Sequence, residues 1–344
     1  MFSSIKYYVK LGLFSLILLI LLAFSILYLP NTKFLNDSQS IFIPSGTSME
    51  KLMDILSTHI NSQFTFSIVA KVKRFDTPRG GHFLLKKKMG NQQIINTLRS
   101  KNTPVKVTFN NQQTIEHLVG RIAEQLEIDS ISLINEITSD KFMDSVNLSR
   151  DELLSLFIPN TYEIYWNVSA SDFCKRMKIE NEQFWNEERE YKRKQINLKR
   201  SEVMSLAAIV NGETKQNLEM PIIAGVYLNR LRKGMKLQSC PTIIYSMKRN
   251  SNDFNLVVQR LFYKDLEIQS PYNTYANYGL TPGPISMPSI SAIEAVLNPT
   301  EHKFIFFTAD SSRPGFNTFS ETYSSHLNNR DNYIKWLNDN RIMR

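Results

Sequence analysis

Only two cysteines, Cys174 and Cys240, occur in the 344 residues, far apart and in no metal-ligand spacing. The sequence leaves open whether they pair in an oxidising compartment. The five histidines form no metal motif, and no glycine-rich phosphate loop is present. Metal and nucleotide chemistry are therefore not expected, and no cofactor is called for. No nucleic-acid-binding motif and no internal repeat occur either. Acidic residues are outnumbered, 32 to 41, giving a formal net charge of +9.

What the chain does have, at its start, is one long uncharged run. Leu11 to Leu29 reads LGLFSLILLILLAFSILYL, about nineteen residues, enough to cross the hydrocarbon core of a bilayer as a helix. Lys6 and Lys10 precede it, whereas residues 30–40 are short, polar and carry one lysine and one aspartate. Positive-inside bias keeps residues 1–10 in the cytoplasm and exports the remainder. No small-residue cleavage site follows Leu29, so a retained anchor is favoured over a cleaved signal peptide. Without Lys6 and Lys10 the exported part keeps a charge of +7, which suits an anionic polymer such as a cell wall.

Beyond a linker over 30–40, the pattern predicts a strand at Ile41–Ile43, a helix capped by Ser48 and a second helix over Phe64–Val72. A strand at His82–Leu85 and a helix opened by Asn91 complete a small α+β unit over 41–103. The rest, 104–344, reads as a larger α+β unit. It has a strand at Val105–Phe109, a helix led by Thr114, a largely helical stretch from Ser130 to Leu156 and an aromatic segment over Phe157–Trp166. One long polar helix over Ala170–Lys194 follows. A helix capped by Ser201 comes next, then one punctuated by Pro221 and Gly234, and a loop over Met235–Thr242 leads into Ile243–Tyr245. A helix capped by Ser289 or Ser291 precedes paired strands at Phe304–Thr308 and Phe316–Phe319, and Glu321–Leu337 reads as the last helix. Gly283, between two prolines, reads as a site of special backbone angles.

Within this frame Glu213 stands out. Val203, Leu206 and Val210 recur at helical spacing, and Glu213 is the next position on that face. A carboxylate there is costly to ionise, and the helix C-terminus disfavours negative charge. Both effects raise its pKa, as a general acid requires. A surface glutamate at a fraying helix end fits the local pattern as well. Gln238, Tyr272, Asn273 and Tyr275 supply the amides and aromatic faces that sugar recognition uses, although such runs also serve turns and core edges.

Several long segments carry a more specific resemblance. Ala208–Thr214, Ile223–Gln238, Pro241–Thr242, Tyr272–Tyr275 and Gly279–Ile285, in this order, resemble the endolytic murein transglycosylase (YceG-like) family. Phe157–Tyr162 resembles its segment ahead of the catalytic helix, and 41–103 its LysM-like subdomain, with Gly81–His82–Phe83 in the place of a Gly-x-Tyr element. The likeness covers essentially the whole chain. It implies an N-terminal transmembrane helix, a small LysM-like α+β subdomain and a larger α+β catalytic domain over 104–344. It places the family's catalytic glutamate on Glu213 and makes Gln238, Tyr272, Asn273, Tyr275 and Asn317 candidate substrate-binding residues. The implied substrate is the peptidoglycan glycan strand, cut internally between N-acetylmuramic acid and N-acetylglucosamine to leave a 1,6-anhydro end. The implied location is the bacterial cytoplasmic (inner) membrane with the catalytic domain outside. Wall synthases and divisome or elongation proteins are the implied protein partners. Three positions depart from the family pattern: Asn211, where a longer polar or acidic residue is common, Cys240, which replaces an aspartate, and Asn317, which replaces a histidine.

One carboxylate suffices for such a reaction because the muramic C6 hydroxyl attacks its own anomeric carbon at high effective molarity. Most glycosidases need two. Two other readings stay open: a muramidase-type hydrolase with Glu163 as the second carboxylate, and a non-catalytic glycan-binding scaffold for wall synthases.

Overall fold

The computed structural model describes residues 2–258 and 261–340. By contact the chain divides into two compact units: residues 1–107 with 125–128 and 162–169, and residues 108–124, 129–161 and 170–344.

The first unit begins with α1 (Phe2–Tyr28), of which Ile5–Tyr28 is long and apolar enough to span a bilayer. The helix starts earlier than the apolar run and takes in Lys6 and Lys10. Then come β1 (Ser38–Ile43), α2 (Met49–Ser57), α3 (Gln63–Val72), β2 (Gly81–Lys86) and α4 (Asn91–Ser100). β1 and β2 pair antiparallel with Ile41 opposite Phe83. Alternation sends Ile41 and Ile43 inward while Phe42 faces out, as a half-buried strand requires. Leu52, Leu56, Phe66, Val69, Ile94, Ile95 and Leu98 close the core from the three helices. Ser48 and Ser62 cap α2 and α3 by accepting the Lys51 and Thr65 amides.

Next in the chain are β3 (Val105–Phe109), α5 (Ile115–Ala123), α6 (Ser130–Ile137), α7 (Asp140–Val146) and β4 (Asn160–Ile164), with β3 and β4 forming a two-stranded sheet. α8 (Ala170–Phe184), α9 (Glu187–Gln195), α10 (Arg200–Glu213), α11 (Met220–Arg232), α12 (Cys240–Ser251) and α13 (Ile290–Leu297) follow. The chain closes with β5 (Phe306–Ala309), β6 (Asn317–Ser320) and α14 (Tyr323–Asp339). β5 and β6 pair antiparallel, Phe307 opposite Phe319. α10 is the axis of the second unit. Every residue from Val203 to Val210 is buried, and the helix packs against α11, α12 and α13. A helix apolar all round is a core helix rather than an amphipathic one.

Four local expectations change. The polar helix over 170–194 is two helices, because Trp185 turns into the core and Asn186 caps a fresh start on the Arg189 amide. α10 begins at Arg200 after Lys199, whose amide is taken by the Glu202 carboxylate; Ser201 donates instead to Glu152. The loop expected to run to Thr242 ends earlier, since α12 starts at Cys240 with Pro241 in its first turn. Gly283 is needed for closeness and not for backbone angle: a Cβ there would lie 1.8 Å from the Asp151 carbonyl oxygen.

Candidate active site

Glu213 is the last residue of α10, half-buried, where the helix has run out of apolar side chains. Two hydroxyls converge on one of its oxygens. Tyr227, on α11, donates to Oε1 at 2.7 Å, and Ser239, immediately before α12, donates to the same atom at 2.5 Å. Oε2 accepts nothing from the described residues. Burial pushes the carboxyl above its ordinary value, against the opposing effect of the Ser239 and Tyr227 hydroxyls and the Arg230 charge.

Each partner is itself held. Tyr227 is 1 % exposed, with its ring edge on Phe307, and burial together with Glu213 keeps its phenol protonated and donating. Arg230, one turn further along α11, is buried and fastens the following loop by donating to the Leu237 carbonyl at 2.6 Å and to that of Ile305 at 2.7 Å. The loop then turns through Gln238, whose φ of +51° puts a non-glycine residue in the left-handed region at a cost of about 1 kcal/mol. That turn aims Ser239 at Glu213. Thr274 secures it: the Ser239 amide donates to the Thr274 hydroxyl at 2.9 Å, and the Gln238 amide to the Thr274 carbonyl at 3.1 Å. Thr242 completes the clamp from α12, its hydroxyl donating to the Ser239 carbonyl.

The candidates named from sequence fall into two groups. Gln238 lies at the site, its side chain exposed and bonded to no described residue. Tyr275 lies there too, half-buried, its hydroxyl 3.4 Å from the Cys240 thiol and its phenol sensitive to the Glu213 charge. The other three sit elsewhere. Tyr272 is 1 % exposed, its ring packed on Tyr245 and under the Arg249 guanidinium. Asn273 is fully buried; its amide donates to the Leu266 and Ile268 carbonyls and its oxygen accepts the Tyr275 and Ala276 amides. All four of its hydrogen-bonding positions are occupied internally, so the expectation of an amide free for sugar hydroxyls is corrected. Asn317, on β6, reaches the site only at second hand. Its amide and backbone both donate to Glu219, which also accepts from Thr214, the residue after Glu213.

Sequence reasoning did not single out Tyr227, Arg230, Ser239 or Thr274 as site residues. The signal for α11 was a polar-tipped Tyr227 and an Arg230 three residues apart on a largely apolar helix. Of the departures, Asn211 accepts the Ser289 hydroxyl at 2.8 Å and so ties α10 to the cap of α13. Cys240 is a free thiol on an exposed residue, and partial cover of its sulfur raises the pKa. Cys174 is a buried free thiol pushed up to about 12, and neither is a disulfide partner here.

Beside this site a cleft of about 240 Å³ opens, lined by Gln113, Asn211, Gly212, Lys215, Tyr245 and Lys248 among others. It begins one residue from Glu213 and has two lysines and no acidic residue in its lining.

The second unit is a mixed helix–strand domain that presents one recessed carboxyl clamped by two hydroxyls. The model of the YceG-like family matches residues 41–332, and the chain belongs to that family. It is 29% identical over 323 residues to an endolytic murein transglycosylase of Bacillus subtilis, covering 87% of this chain and 86% of that protein. An endolytic murein transglycosylase of Streptococcus pneumoniae is 26% identical over 79% of this chain, which spans 54% of that longer relative. The crystal structure of a yceG-like protein from Listeria monocytogenes superposes with a TM-score of 0.56 at 26% identity, over 85% of this chain and 98% of that one.

Proposed function

We propose that this chain is an endolytic murein transglycosylase with Glu213 as its single acid–base residue. The observation that carries the reading is the pair of hydroxyls on Oε1 with Oε2 left free. With Oε1 already accepting two hydrogen bonds, the acidic proton of the neutral carboxyl resides on Oε2, the oxygen open to a ligand. In the first step that proton passes to the glycosidic oxygen as the bond from the muramic anomeric carbon breaks. Tyr227, Ser239 and Arg230 then stabilise the carboxylate left behind. In the second step the carboxylate takes the proton of the muramic C6 hydroxyl as that oxygen bonds to the anomeric carbon. The product is a 1,6-anhydro end, no water is consumed, and Glu213 is returned protonated. Attack by the muramic C6 hydroxyl needs no second carboxylate to activate water, whereas most glycosidases use two.

Gln238 and Tyr275 are the sugar contacts this reading retains from the sequence, and the basic cleft beyond Gly212 suits an anionic strand. α1 is proposed as a retained anchor in the cytoplasmic membrane, N-terminus inside, so that Glu213 works on glycan close to the bilayer. The β1–α2–α3–β2 order supports a LysM-like role for the first unit. Termination of nascent strands, together with wall synthases or divisome and elongation proteins, follows from that placement as the biological role.

The test is product analysis on purified glycan strands. Anhydro ends are lighter than reducing ends by one water, and Glu213→Gln abolishes them. Reducing ends from the unaltered protein indicate a hydrolase, and digestion unchanged by Glu213→Gln removes the assignment altogether.

A further inference from the structure

The end of α1 is built into the first unit. In a helix the Ile26 carbonyl is served by the amide of residue 30, which here is Pro30 and has none. Asn91, the first residue of α4, donates to that carbonyl at 2.8 Å in its place. Asn31 accepts the Ser62 amide at 2.8 Å and donates to Asn91 at 2.6 Å, which links the exit of α1 to the starts of α3 and α4. Gly90 lets the chain pass close: a Cβ there would meet the Tyr28 carbonyl oxygen at 2.6 Å. Pro30 and Thr32 make bridges to Gly90 and Ile60, and Asn31 and Thr32 are buried. Ile26 and Leu27 pack on the core of the unit together with Phe34 and Met89. The segment expected as a linker over 30–40 therefore opens as a clamp.

On the anchor reading of α1, the clamp sets the level at which the helix leaves lipid. Ser25, Ile26 and Leu27 are partly covered by protein, so the stretch free to face lipid runs from Ile5 to Phe24. That is about 30 Å of helix, the thickness of a hydrocarbon core. Phe24 and Tyr28 lie ring against ring at its end, centroids 4.8 Å apart and tilted by 33°, the aromatic pair expected at an interface. The first turn of α3 lies at the same level, because Thr65 touches Asn91 and Ser62 touches Asn31. Phe64 stands between those two contacts with 74 % of its surface exposed.

We propose that the first unit rests on the membrane that holds its anchor, with Phe64 seated in the headgroup region and the Asn31–Asn91 clamp fixing its orientation. The partner surface is lipid. The inference rests on the anchor reading of α1. It goes further in making α1 a rigid stalk, and it assigns Phe64 a place in the bilayer interface.

The full-length chain carrying Cys240→Ser, reconstituted in phosphatidylcholine–phosphatidylglycerol vesicles, tests this with single fluorophores on Leu18→Cys, Phe64→Cys and Val72→Cys. Val72 is the control, equally exposed at the far end of α3, about 12 Å away. Lipids bearing a nitroxide near the headgroup quench the label at 64 at least about twofold more than the label at 72, and deep nitroxides quench the label at 18. Equal quenching at 64 and 72, with 18 quenched, overturns the docking and leaves the anchor standing. An unquenched label at 18 overturns the anchor and the docking with it.

Discussion

Two hydroxyls on one carboxyl oxygen set Glu213 between the two duties proposed for it. Burial holds the proton on, and the Tyr227 and Ser239 donors with Arg230 ease it off. Tyr227→Phe removes one easing donor, so the alkaline limb of the pH–rate profile, where Glu213 loses its proton, moves to higher pH while the carboxylate formed in the first step loses its support. A hydrogen bond to a charged group is worth about 1.5–3 kcal/mol, so kcat falls on the order of ten- to a hundredfold with KM little altered. Ser239→Ala moves the same limb in the same direction. A pH profile displaced by neither variant means the hydroxyls serve packing only. Stability carries the same signature. Because the folded pKa lies above the ordinary 4.5, the stability of the neutral form is complete below about 4.5 and is lost as pH rises through the folded value. Glu213→Gln stays neutral, so its melting temperature matches that of the unaltered protein at low pH and exceeds it increasingly toward neutrality.

At the scale of elements, the sequence reported best what is local. Ser48 and Thr114 cap the helices assigned to them, as does Ser289, one of two residues offered for α13, and the β5–β6 pair overlaps the strands expected at Phe304–Thr308 and Phe316–Phe319. Glu213 was legible because its helix is apolar up to that residue. Ser239 and Tyr227 were not, since a serine in a loop and a tyrosine on a core helix gain meaning only when packing brings them to one oxygen. Asn273 shows the converse: a buried asparagine organising a turn has the same letter as one that binds sugar, and only its four internal bonds tell them apart. The glycines turn this into measurements. A Cβ on Gly212 would lie 2.8 Å from the Pro241 Cβ, between the end of α10 and the first turn of α12. Gly212→Ala thus displaces Ser239 from Glu213 and lowers activity more than stability. Gly120, inside α5, has open space where a Cβ would stand, with no neighbouring atom within 4 Å. Gly120→Ala stabilises by about 0.5–1 kcal/mol in urea unfolding and leaves activity unchanged.

For the whole molecule, the clamp at the end of α1 decides where a form without the apolar helix can begin. A chain starting at Pro30 removes more than membrane helix, because it also loses Ile26 and Leu27, which cover part of the core of the first unit. It leaves the Asn91 amide without the Ile26 carbonyl it serves. Two half-buried aliphatic side chains are worth about 1–3 kcal/mol together. A chain starting at Ser25 keeps both contacts. Urea unfolding therefore finds the first unit of the Pro30 form less stable by that amount, with equal cutting of soluble strands by both forms because Glu213 and its partners lie in the second unit. Identical unfolding midpoints would show that the last turn of α1 contributes nothing to the fold. On the anchor reading of α1 neither form is held at the membrane in cells, and if the tether serves proximity, both leave longer glycan strands than the full chain. Strand length unchanged by release would separate the catalytic reading, which survives, from the role in ending strand growth, which does not.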